Sequence, residues 1–208
     1  QPTALVVTWS ATPGASAYVE YGYDDGYGTF APATVGADGE ARAVLLGLQA
    51  DTDVHLRALT RLDGEDSWSA VESARTGPLP EGLPSVEVLS PADPSLPEAF
   101  ALLTVLEGAT GTGALLVVDR DGHPVWWEQI DTYPPLAAHR TPDGTGVAYL
   151  VGDPNEADAA EVHRLSFDRA TRVSLPAPGG HHDLVALPDG VLAVVTTDVR
   201  TSDGLTVI

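Results

Sequence analysis

The sequence predicts an all-β chain in three stretches: a β-sandwich, a proline-rich linker and the first two or so blades of a β-propeller. Three observations carry this. Short β-branched or aromatic runs alternate with turn dipeptides over residues 1–77, six prolines crowd residues 78–97, and residues 98–208 repeat their features with a period in the high forties. Helix signals are scarce, since no stretch sustains apolar residues at i, i+3, i+4 and i+7 over three turns.

In the first stretch, Leu5-Val6-Val7-Thr8-Trp9, Ala17-Tyr18-Val19-Glu20-Tyr21 and Ala43-Val44-Leu45-Leu46 read as strands. Pro13-Gly14, Asp25-Gly26 and Asp38-Gly39 supply the turns between them. The run Leu46-Gly47-Leu48-Gln49-Ala50-Asp51-Thr52-Asp53-Val54-His55-Leu56-Arg57 resembles the L-x-G-L-x-P-x-T-x-Y-x-x-R corner of fibronectin type III domains. Trp9 occupies the place of that family's core tryptophan, and Asp63-Gly64-Glu65-Asp66-Ser67-Trp68-Ser69 matches its last hairpin, with Thr76 closing the domain. Ala50 replaces the usual Pro and Val54 the corner Tyr. The resemblance therefore implies a corner without its tying hydroxyl, a loss of about 1 kcal/mol.

The linker holds Pro78, Pro80, Pro84, Pro91, Pro94 and Pro97. Such a density forbids a helix and favours extended, semi-rigid chain. Val86-Glu87-Val88-Leu89 within it has the composition of one edge strand. Beyond it, Val117-Val118-Asp119-Arg120-Asp121-Gly122 and Leu165-Ser166-Phe167-Asp168-Arg169-Ala170 are both strand-then-turn, with Asp119 and Asp168 49 residues apart. Thr141-Pro142-Asp143-Gly144 recurs as Leu187-Pro188-Asp189-Gly190, with Asp143 and Asp189 46 apart. A histidine precedes the proline of each turn, His139 by three residues and His182 by six. About four strands in such a period is the signature of propeller blades. Leu205-Thr206-Val207-Ile208 begins a further strand. Two blades do not close a propeller, so the expectation is a piece of a longer protein, or closure supplied from elsewhere.

Composition narrows the function. The chain has no Cys, Met or Lys, and its formal net charge is −20. Residues 1–77 carry eleven acidic residues and four arginines, a net of −7, leaving −13 for the rest. Neither part has a basic patch, which argues against nucleic acid and against anionic membrane surfaces as partners. The acidity reads as solubility, with calcium or a cationic partner as the alternative. No apolar run approaches the roughly 18 residues of a membrane helix. A start at Gln1 without Met is expected of a processed, exported protein, placing it as secreted, periplasmic or at the cell surface.

The residues with most chemistry are His181-His182-Asp183, introduced by Gly179-Gly180. On a regular strand neighbouring side chains point to opposite faces, so the two histidines are expected to part, one toward a central channel and one between blades. A hydrogen bond from His182 to a neighbouring blade is the plain structural alternative. The segment from Gly180 to Gly190 resembles the "H-H-D-hydrophobic-x-x-L-P-x-G-N" strand of bacterial arylsulfotransferase-type propellers, with Val191 where that family often has Asn. Leu115 to Trp126 is similar to the family's "D-x-D-G-x-x-V-W" hairpin, and that family also places a β-sandwich before its propeller.

The resemblance, over roughly residues 98–200, implies sulfuryl transfer between phenols through a sulfated channel histidine. Neutral imidazole is nucleophilic near pH 7 and leaves readily once sulfated. It assigns His181 or His182 to substrate binding, positioning the sulfate, with the nucleophile outside this chain and no residue here identified as catalytic. A phenolic sulfate or another small aromatic compound would be the ligand, and neither cofactor nor metal is implied. Arg140, Arg164 and Arg200 could help hold an anion, although single blade arginines commonly form surface ion pairs. The competing reading is a non-catalytic surface or appendage protein whose modules bind a protein partner or self-associate.

Other constellations are weaker. Asp119-Arg120-Asp121-Gly122 opens like a calcium loop, but His123, Pro124 and Ile130 stand where ligands and the required Gly belong, so a hairpin turn is expected. Asp153-Pro154-Asn155-Glu156-Ala157-Asp158 with Glu161 is an acidic loop that reads as solvated, with low-affinity calcium as the alternative. Trp126-Trp127 should face two layers. Tyr21-Gly22-Tyr23-Asp24-Asp25-Gly26-Tyr27-Gly28 reads either as an adhesive aromatic loop or as a strand end and turn.

Overall fold

A computed structural model describes residues 1–90, 93, 99–107, 112–153, 156–196, 200–202 and 205–207. The chain is all-β, built of curled antiparallel sheets. It forms two compact units, Gln1–Ser85 with His123–Trp126, and Val86–Gly122 with Trp127–Ile208. No helix among the described residues is long and apolar enough to cross a membrane.

The first unit holds β1 (Leu5–Ser10), β2 (Ser16–Gly22), β3 (Thr29–Val35), β4 (Glu40–Leu45), β5 (Asp53–Leu62), β6 (Glu65–Trp68) and β7 (Glu72–Arg75). They form one sheet in the order β1-β4-β3-β2-β5-β6, with β7 also on β5. Alternation sets its inner face: Ala17 and Val19 of β2 and Ala41, Ala43 and Leu45 of β4 are buried while their neighbours turn outward. Val54, Leu56 and Leu48 complete this core, and Trp9 packs against it. The Trp9 indole N–H donates to Thr60 Oγ1 at 3.1 Å, joining β1 to β5, which the sheet order keeps apart.

β5 is long enough to pair with two strands in succession. Its end near Leu59 takes β6 and its start near Val54 takes β7. Ser69 bridges the changeover: its N–H donates to Ala58 O, and its hydroxyl accepts from Ala58 N, both at 2.9 Å. The corner before β5 has a tying hydroxyl after all. Buried Thr76 donates through Oγ1 to Gln49 O at 2.6 Å and accepts from Thr52 N at 2.9 Å. The penalty expected from Val54 is thus offset by the residue that closes the unit.

The second unit stacks separate sheets. β8 (Ala101–Glu107), β9 (Thr112–Val118) and β10 (Pro124–Ile130) form the first, although β10 begins within the other unit. β11 (Pro135–Arg140), β12 (Gly146–Asp153), β13 (Glu156–Ser166) and β14 (Arg172–Pro176) form a four-stranded meander. β15 (Gly180–Ala186) and β16 (Leu192–Thr196) follow, joined through a single 3-10 turn at Pro188–Gly190, and then β17 (Arg200–Ser202) pairs with β18 (Leu205–Val207). Ile208 lies outside the described residues, as do Pro91, Pro94 and Pro97 of the linker.

β12 is buried on both faces, as expected of a strand covered from two sides. On one face Ala148 and Leu150, with Ala137, Ala160 and Val162, pack against Leu184, Ala186, Leu192 and Val194 of β15 and β16. Val86–Leu89, which has the composition of an edge strand, is not one. It lies against the β9–β10 turn, where a Cβ on Gly122 would come within 3.0 Å of both Val86 O and Val88 Cγ2.

The turns β11–β12 and β13–β14 share one wiring. Thr141 donates its hydroxyl to Asp143 Oδ1 at 2.6 Å, which also accepts from Thr145 N at 3.1 Å, while Gly146 N donates back to the Thr141 hydroxyl. Ser166, Asp168, Ala170 and Thr171 repeat it bond for bond. These donors hold the Asp143 carboxyl down at about 2, the Thr141 hydroxyl contributing most.

Candidate functional site

The site begins at a glycine. A Cβ on Gly180 would sit 2.8 Å from Ala177 O and 3.2 Å from Val194 Cγ1, so the chain can enter β15 here only without a side chain. From there the strand leaves regular geometry. Gly180 pairs with Thr196 and Leu184 with Val194, so β15 takes four steps where β16 takes two. The surplus residues form a bulge, within which His182 has a positive φ of 63°.

This overturns the expectation that the two histidines part to opposite faces. Strand alternation fails inside a bulge, and the rings of His181 and His182 meet edge to face with centroids 4.7 Å apart. The Nδ1 atom of His181 is buried without a hydrogen-bond partner. Asp183, at the end of the bulge, reaches β11: its Oδ1 lies 3.0 Å from His139 Nε2 and accepts from Leu184 N at 2.8 Å. The bond from His139, and then that from Leu184, hold the Asp183 carboxyl below its ordinary range. His139 and Asp183 are 45% and 63% exposed, so a ligand from solvent can reach the pair.

Two arginines stand at the same end of the meander. Arg140 follows His139, and its Nη1 lies 3.5 Å from where a Gly144 Cβ would be. Arg164 is in register with Ala148, as His139 is, so the two residues share a sheet face. Its Nη1 lies 3.3 Å from a Cβ position on Gly190, and its charge helps depress Asp143. Neither arginine forms an ion pair within 4.0 Å among the described residues. By contrast, Arg57 pairs with Glu20, Arg61 with Asp66, Arg75 with Asp53, and both Arg169 and Arg172 with Glu128. The Arg200 side chain lies outside the described residues.

Asp119 Oδ1 accepts from Asp121 N at 3.0 Å, and Gly122 N donates to Asp119 O, making a hairpin turn. Of the acidic loop, Pro154 and Asn155 lie outside the described residues. Glu161 faces Ser174 and His163 on the sheet instead. Trp126 and Trp127 are both buried.

Two features escaped sequence reasoning. The first is the bond between His139 and Asp183, for which spacing gives no signal. The second is a polar network at Glu128, whose side chain is only 7% exposed and is held by Arg169 at 2.7 Å and by Arg172. Arg172 also donates to the Tyr149 hydroxyl, and Tyr149 stacks on His163 at 4.9 Å. Its sequence signal is a carboxylate on the same strand parity as buried Trp126 and Ile130.

The bulge thus carries two histidines in ring contact and a carboxylate bonded to His139, while Arg164 shares the sheet face of His139 and Arg140, in register with Val147, takes the other. Such a set can donate hydrogen bonds to an anion and carry a proton near neutral pH. No protein-family model matches the chain, and no curated protein sequence matches it.

Proposed function

We propose that this chain is the N-terminal part of an arylsulfotransferase-like protein: a fibronectin-III-like sandwich followed by propeller blades that position a phenolic sulfate. The observation that carries the reading is the bond of His139 to Asp183, next in the chain to the touching rings of His181 and His182, with Arg164 on the sheet face of His139. The stacking of successive antiparallel sheets supports the propeller part, and the Trp9 core and Thr76 closure support the sandwich part.

In this reading His181 and His182 donate to sulfate oxygens, and His139, oriented by Asp183, presents its other nitrogen to the ligand. Arg140 and Arg164 offset the long-range repulsion of a −20 chain, which salt screens beyond about 8 Å. None of these residues is assigned as the nucleophile. Charge spreads over the sulfuryl oxygens in the transition state, so pre-placed donors lower the barrier much as in phosphoryl transfer. An envelope or extracellular location belongs to the same proposal.

Titration with 4-nitrophenyl sulfate, followed by NMR of the histidine rings, tests it. Saturable shifts at His139, His181 and His182, with His55 and His163 unmoved, are expected. Arg164→Ala should weaken binding about tenfold. Binding that survives both His181→Ala and His182→Ala unchanged would sink the assignment.

A second reading, a non-catalytic assembly module, is favoured by one observation. Val185, Val191 and Val195 leave an apolar row exposed on the β15–β16 hairpin. That reading predicts concentration-dependent association in sedimentation and no saturable shifts with the sulfate ester.

A further inference from the structure

The outward face of the first sheet departs from the rule that such a face is polar. Register places Phe30, Glu20 and Arg57 in one row across β3, β2 and β5. The next row along the strands is Pro32, Tyr18, Leu59 and Trp68. Phe30 is 54% exposed and Trp68 42%, with buried Leu59 as Trp68's cross-strand partner.

This surface is braced from within. The Arg57 guanidinium lies 4.3 Å from the Trp68 ring centre and 4.7 Å from that of Tyr27. Its Nε donates to Glu20 Oε2 at 2.6 Å, so the charge is cancelled locally. Tyr27 reaches this position at a cost. Its φ is 52°, a conformation rare for a tyrosine, and Gly22 must lack a side chain because a Cβ there would collide with the Tyr27 main chain. The Tyr21–Gly28 segment is therefore a shaped loop that presents an aromatic ring to the sheet face.

We propose that this face binds a neutral polysaccharide. Apolar C–H faces of sugar rings stack on exposed aromatic rings, and their hydroxyl edges bond to polar groups beside them; the exposed Asp25 is placed for this. Adjacent strands lie about 4.8 Å apart, a spacing comparable with one hexose in a chain, so a glycan crossing the strands meets successive side-chain rows. Charge selects against acidic glycans, since residues 1–77 carry a net −7 and Arg57 is neutralised by Glu20. The proposal is independent of the sulfate site, which lies in the other unit.

Electrophoresis of the whole chain through gels cast with xylan, galactomannan or hydroxyethylcellulose tests it. At least one polymer should retard the protein, and the retardation should persist in about 0.5 M salt, where charge effects are screened. Trp68→Ala should weaken retention about tenfold, and Phe30→Ser should do likewise. Phe30 is outside the core, so the second variant decides the matter if the first unfolds. No retardation by any polymer, retention that vanishes in salt, or retention unchanged in Phe30→Ser would each overturn the proposal. Self-association abolished by Phe30→Ser, without glycan retention, would overturn it in favour of a protein contact.

Discussion

At the scale of single residues, the site depends on where the backbone tolerates what the side chains need. Gly180 permits the close turn that launches the bulge, and the bulge turns His181 and His182 toward each other. Adding one methyl group should force Ala177 or Val194 to move. Gly180→Ala is therefore expected to destabilise the protein by about 1–3 kcal/mol and to separate the two imidazole environments. Thermal melting together with histidine NMR checks both effects; an unchanged spectrum would remove Gly180 from the argument. The His-His-Asp triplet was legible in the sequence as a place of interest. Its geometry was not, because alternation is a rule for regular strands and a bulge suspends it. His139 stood in the repeat pattern, yet nothing in its spacing from Asp183 marks them as partners, since that bond depends on how β15 packs beside β11.

At the scale of elements, the β11–β14 meander holds titratable groups on the face that also carries Val147 and Tyr149. His163 stacks on Tyr149, bonds Glu161 through Nε2 at 3.1 Å and keeps Nδ1 buried without a partner. Burial lowers its pKa from the ordinary 6.5, and Arg172 adds to this, while Glu161 and Glu128 oppose it. The sign follows from linkage. The neutral ring is favoured in the fold, so this contribution is fully present above about 6.5 and declines as pH falls toward the lower folded value. Melting temperature should drop between pH 7 and 5, and His163→Gln should flatten that part of the profile. A parallel drop in the variant would show that other groups carry the effect. The strands of this meander were legible from their β-branched runs and Pro-Asp-Gly turns. The ion network at Glu128 was not, because it joins residues of β10 and β14 that meet only when two sheets stack.

At the scale of the whole molecule, charge is the dominant feature. Thirty acidic side chains against ten arginines leave a net −20, which strains a compact state by self-repulsion. Raising salt from about 10 mM to 150 mM shortens the screening length from about 30 Å to 8 Å. Thermal stability should therefore rise over that range. A fall would mean that the close arginine–carboxylate pairs outweigh the diffuse repulsion.

Composition and alternation by themselves determined that this chain is all-β, where most of its strands run and which of their residues turn inward. Those properties follow from local backbone preference and a period of two, which are written in the order of residues. Tertiary structure alone decided that Val86–Leu89 stays out of any sheet, that Thr76 ties the corner, that His139 meets Asp183, and that the rings of His181 and His182 touch. Each of these rests on a contact between segments distant in the chain, or on a backbone irregularity. Their energies come from the packing of one element on another, and local periodicity carries no record of it.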